Sequence, residues 1–247
     1  KHGPLKLILM KNTFLPLLLF FFGMISANAH YLWLETNGSG KSGQEHEVRV
    51  HYGEYTYGVI EKVEGEAFPL VSKFTLWVIA PDGTKTELKT AAKEDHYVAH
   101  FTPNENGVYT IALNNNEIDV IDYTQYDFGI FKTHYHSTAK VQVGSVNADT
   151  KTINPEGIVV KQLAHDGDEV KLQVLYKGKP LAQNELQVYV ADLWSKTLHT
   201  DDNGEVSFAL PWDTKYIVET TTKEEIPGTY NGEAYEFIWH CATYCIK

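Results

Sequence analysis

Eleven histidines are spread over the 247 residues, and a few sit where metal chemistry would want them. His30 follows Ser26-Ala27-Asn28-Ala29. The apolar run Phe14 to Gly23, preceded by Lys11, leads into the small-x-small triplet Ala27-Asn28-Ala29. Such a run suits the core of a signal peptide and is short for a membrane span. Cleavage after Ala29 would make His30 the first residue of the exported chain. Its α-amine (pKa near ~8) and its imidazole (near ~6.5) could then chelate one ion. His240, at the other end, offers a third nitrogen. The resulting T-shaped set suits Cu(II) and is accepted by Ni(II), provided the first and last strands are neighbours. His134 and His136 form an i, i+2 pair. On a strand they share a face with Cα atoms ~6.6 Å apart, so both imidazoles can reach one ion. Glu219 is a candidate carboxylate ligand, or an acceptor that orients an imidazole. The ordinary alternative for each is a side chain on a solvated strand face.

Other constellations are weaker. His96 and His100 stand ~13 Å apart on a strand, too far to clasp one ion. His46, His51, His165 and His199 lie beside charged or turn residues and read as solvated. The acids Asp119, Asp122 and Asp127 match no calcium loop. Cys241 and Cys245 would be ~13 Å apart on a straight strand, so they pair only across a bend. There is no Gly-x-Ser-x-Gly elbow, no His-Glu-x-x-His and no phosphate-cradling glycine loop. Copper-dependent polysaccharide oxygenases also begin with a mature histidine, which keeps an oxidative copper enzyme as one alternative. A metal-free sandwich module binding carbohydrate or protein is the other.

The elements that must position these residues are strands. His46–Tyr52 alternates Val48 and Val50 with Glu47, Arg49 and His51, which predicts a half-buried strand with His51 on the wet face. Residues 74–79, 85–89, 96–101 and 108–113 follow at sandwich spacing, and Gly53–Phe68 is a long candidate functional loop. Val170, Leu172 and Val174 alternate, as do Leu186, Val188 and Val190, and Val206, Phe208 and Leu210, with a hairpin signal at Asp201-Asp202-Asn203-Gly204. No segment keeps helical spacing. The expected fold is all-β: a signal peptide over 1–29, whose residues 1–9 precede the natural start at Met10, then two β-sandwich domains over 30–145 and 155–247 joined by a polar linker. Removing residues 1–29 takes away Lys1, Lys6 and Lys11 and no acid, moving the formal net charge from −11 to −14. Arg49 is the only arginine. Such a chain excludes nucleic acid and anionic membrane as partners.

The mature start His30-Tyr31-Leu32-Trp33-Leu34, the turn Gly178-Lys179-Pro180-Leu181, the segment Thr200-Asp201-Asp202-Asn203-Gly204 and the ending His240-Cys241-Ala242-Thr243 resemble the DUF4198 family, which is grouped with periplasmic components of nickel and cobalt uptake systems. The second half is also similar to transthyretin-like and carboxypeptidase-regulatory-like units, an Ig-like sandwich. The resemblance implies export to the periplasm, binding of a late first-row metal (nickel, cobalt or copper), an inner-membrane metal transporter as partner, and no established catalytic activity. Carried onto this chain, its matched polar residues are His30 and His240; Cys241 and Cys245 depart from the usual ending.

Overall fold

The computed structural model describes residues 30–145, 154–191 and 193–246. The expected signal segment and residues 146–153 of the expected linker lie outside them. In chain order the principal strands are β1 (Tyr31–Thr36), β2 (His46–Glu54), β3 (Thr75–Ile79), β4 (Lys85–Glu87), β5 (Thr90–Ala92), β6 (Tyr97–Phe101), β7 (Gly107–Asn115), β8 (Ile130–Val143), β9 (Ile158–Asp166), β10 (Glu169–Tyr176), β11 (Glu185–Val190), β12 (Trp194–His199), β13 (Glu205–Ala209), β14 (Tyr216–Glu224), β15 (Gly228–Tyr230), β16 (Glu233–Tyr235) and β17 (Phe237–Ile246). Apart from short 3-10 turns, no helix forms among the described residues. The protein is all-β, and among the described residues no helix is long and apolar enough to cross a membrane.

One long sheet runs through the molecule in the order β12-β11-β14-β17-β8-β7-β3-β4. Its two ends are covered by different sheets. The sheet β1-β2-β6-β5 packs on one end, enclosing Leu32, Leu34, Val48, Val50, Phe68, Ile111 and Val141. The sheet of β9, β10 and β13 covers the other, enclosing Ile158, Leu172, Leu186, Phe208, Val218 and Tyr244. Strand β8 joins the halves. Its residues 139–143 pair antiparallel with β7, and its residues 131–138 pair parallel with β17. Because the pleat alternates, the odd residues of β8 (Tyr135, Ala139, Val141, Val143) meet the first core. The even residues face the second core, where the Thr138 hydroxyl donates to the Val160 carbonyl at 3.1 Å.

Two sequence expectations change here, and the condition for a disulfide is not met. His46 and His51 are buried: β1 pairs with residues 48–53 of β2 and sets the Trp33 indole on the His51 ring at 5.2 Å, while His46 packs on Phe101 at 5.3 Å and contacts the Thr36 hydroxyl at 2.8 Å. The 53–68 segment continues β2 and then ties the halves together: the Tyr55 hydroxyl donates to the Lys215 carbonyl at 3.2 Å, and the Thr56 hydroxyl to the Val190 carbonyl at 3.2 Å. Cys241 and Cys245 lie on one unbroken strand with no bend between them, and no disulfide joins them.

Candidate metal centre

The parallel register of β8 with β17 sets His134 directly beside His240, and His136 two residues further along on the same face. The three imidazoles converge there, each offering a nitrogen within 4.8 Å of the others. His136 and His240 are 3% and 1% exposed, while His134 is half-buried. The His136 and His240 rings stack at 5.2 Å with planes 14° apart, and the His134 ring meets His240 edge-on at 5.1 Å.

Hydrogen bonds assign the tautomers. His136 Nδ1 lies 2.7 Å from Asn114 Oδ1, an acceptor that also receives the Asn154 amide at 2.7 Å. Nδ1 therefore carries the proton; the opposite tautomer would set two acceptors against each other at 2.7 Å. Asn154 Nδ2 also lies 3.2 Å from that ring nitrogen, the longer of the two contacts. On the other side, His240 Nε2 lies 2.9 Å from Glu224 Oε2 and 3.3 Å from the Tyr176 hydroxyl. Glu224 is anchored in turn by Lys177. Burial raises the Glu224 carboxyl, but the Lys177 ammonium and hydrogen bonds from His240 and Tyr176 outweigh it and hold it at about 2. A carboxylate here fixes the proton on Nε2 of His240.

The inner nitrogens, His136 Nε2 and His240 Nδ1, then face each other 2.9 Å apart, each with a lone pair. Burial favours the neutral form of all three imidazoles: it lowers His240, lowers His136 well below the usual range, and, with repulsion between a charged His134 and a charged His240 and then from Lys132, lowers His134 to about 4. Two inward lone pairs at hydrogen-bond distance repel each other, and a proton or a metal ion between them would relieve that repulsion. An outer acceptor on each ring is the arrangement that orients metal-bound histidines. If the three imidazoles hold a metal ion, replacing Glu224 with glutamine is expected to weaken its affinity about 10- to 100-fold with little change in fold, as calorimetry on E224Q would measure.

The other residues singled out in the sequence lie elsewhere. His30 Nε2 contacts Glu61 Oε1 at 2.8 Å, and its ring packs on Tyr52 at 5.4 Å. The first and last strands do touch, with the Thr243 hydroxyl donating to the Leu32 carbonyl at 2.7 Å. However, the Tyr135 hydroxyl donates to the His30 carbonyl at 2.9 Å, and Tyr135 points away from His134 and His136. The central sheet thus separates His30 from His240, and the two do not share a site. Glu219 pairs with Thr243, whereas His240 pairs with Thr222, so the pleat turns Glu219 to the opposite face and brings Glu224 to the histidines instead. Asn114, Asn154, Tyr176 and Gly157 were also missed in the sequence. Only the two-residue periodicity pointed to any of this, and it selects Glu224 over Glu219 only once the register is known.

A family model described as "Domain of unknown function (DUF4198)" matches residues 27–224. The chain belongs to the DUF4198 family. In this DUF4198 protein, His134 and His136 fall inside the matched segment, while β17 with His240 lies beyond it. No curated protein matches the chain. Among solved structures, a DUF4785 family protein from Legionella pneumophila is 11% identical, with a TM-score of 0.30 over 77% of this chain and 51% of the other. The BSP domain of a biofilm-associated protein is 9% identical, with a TM-score of 0.25 over 86% of this chain and 29% of the other. The chain thus spans about half the length, or less, of these neighbours.

Proposed function

We propose that the protein is an exported transition-metal-binding protein, serving uptake or delivery, with His134, His136 and His240 as its ligands. One observation carries this reading: the inner nitrogens of His136 and His240 meet at 2.9 Å while acceptors hold both outer nitrogens. At metal–nitrogen bonds of about 2.0–2.1 Å, that separation subtends roughly 90° at an ion, whereas a tetrahedral edge would be about 3.3 Å. The spacing therefore favours the tetragonal ions Cu(II) and Ni(II), and supply selects between them, and cobalt, in the cell. The half-buried His134 is the ligand that closes in and the side from which an ion arrives.

The reading includes cleavage after Ala29, a periplasmic location, sandwich units over 30–145 and 155–247, and transfer of the ion to an inner-membrane transporter. The oxidative copper enzyme loses support, because His30 sits on Glu61 across the sheet from the three histidines. Calorimetry with Ni(II) and Cu(II) on residues 30–247 tests it. Removing the His136 or His240 imidazole is expected to weaken the tightest binding at least about 100-fold, and His30→Ala to leave it unchanged. Undiminished affinity in the His134, His136 and His240 triple alanine variant would refute the assignment.

A further inference from the structure

A second pair of histidines lies on the outer face of the sheet formed by β1, β2 and β6. The β2–β6 register pairs Val50 with Tyr97, so His51 and His96 stand opposite each other one step on, with Trp33 completing the row on β1. Their ring centroids are 5.2 Å apart and their planes inclined by 38°. His51 is 6% exposed. Its Nδ1 is the one buried side-chain nitrogen or oxygen without a hydrogen-bond partner among the described residues. An orphaned buried polar atom is uncommon and costly.

Each ring has a carboxylate near its other nitrogen, at hydrogen-bond distance only for His96. Asp95 Oδ1 lies 2.6 Å from His96 Nδ1, which leaves the lone pair of His96 on Nε2. Glu35 Oε1 lies 3.8 Å from His51 Nε2, which favours the proton there and leaves the lone pair on the orphan Nδ1. Glu35 is itself fixed by the Trp33 indole N–H at 2.9 Å and by Lys215, so the Lys215 charge is already paired. The centroid separation of the His51 and His96 rings equals that of His136 and His240, close enough for one ion to lie about 2.0–2.1 Å from a nitrogen of each ring. His96 is the more accessible of the two and gives an ion its way in.

We propose that His51 Nδ1 and His96 Nε2 form a second, independent site for a divalent transition-metal ion, completed by water. It rests on none of the residues of the first site. Two imidazoles make a weaker site than three, so it fills at higher ion concentration.

Zn(II) titrated into the 30–247 chain, followed by calorimetry and by the imidazole signals in NMR, tests this. The expected result is a weaker equivalent that disappears in His96→Gln and survives in the His134, His136 and His240 triple glutamine variant. His96→Gln is the first variant to make because His51 is packed on Trp33; His51→Gln with an unchanged circular dichroism spectrum is the second. If the weaker equivalent persists in folded His96→Gln, or if wild-type His51 and His96 signals stay unmoved by Zn(II), the proposal is wrong. Loss of the tight equivalent in the triple variant alone bears on the first site and not on this one.

Discussion

Gly157→Ala is expected to abolish the proposed metal site while leaving the rest of the protein folded. A Cβ at this position would lie 2.1 Å from Cε1 and 2.2 Å from Nε2 of His136, the second being the donor nitrogen itself. The ring cannot retreat, since its far side stacks on His240 and its Nδ1 is bound to Asn114. The backbone cannot easily yield either, because the Lys177 amide donates to the Gly157 carbonyl at 2.8 Å. Overpacking of this kind costs about 1–3 kcal/mol. Affinity for Ni(II) or Cu(II) should fall by roughly 100-fold or more, on the scale of losing an orienting partner outright. Calorimetry paired with a thermal melt checks it: a melt lowered by a few degrees with no change in affinity would mean that His136 is not a ligand.

The second large effect concerns Glu219 and pH. This carboxyl is buried between the halves beside Tyr189. Burial raises its pKa, the Tyr189 hydrogen bond pulls back, and the Glu54 charge adds to the rise, bringing it to about 7 from the usual 4.5. Between those two values the folded chain holds a proton that the unfolded chain has released. Stability therefore falls as pH rises through that window and levels off above about 7. The full loss is on the order of 3 kcal/mol at about 1.4 kcal/mol per pKa unit. Glutamine mimics the protonated acid, so Glu219→Gln should gain most of that amount at pH 8 and nothing near pH 4.5. Denaturant melts at the two pH values measure it. An equal effect at both would show that Glu219 is ionised in the fold throughout, and metal affinity should be untouched in either case.

The all-β fold could be read from alternation at Val48–Val50, Val170–Val174 and Leu186–Val190. The pairing of His134 with His136 followed from their spacing alone, and His240 was within reach as a partner. What the sequence left open was register. Nothing local says that β17 docks parallel on β8, so nothing local says that His240 sits beside His134, or that Glu224 and not Glu219 reaches it. His30 was misplaced because contact between two strands was taken for contact between side chains, when an intervening sheet separates them. His51 looked wet because the charged residues around it, Glu47 and Arg49, are exposed, while Trp33 covers only the far end of β2.

The pairing of β8 with β17 also governs how the molecule comes together. His136 and His240 are separated by 104 positions, and non-local pairings are slow steps in folding because the chain between them must be closed first. Until β17 arrives, β8 presents an open row of amides and carbonyls, the kind of edge on which chains aggregate. The three histidines assemble only when that edge is capped. An ion bound there would hold only finished molecules and, by mass action, would latch their last closing contact.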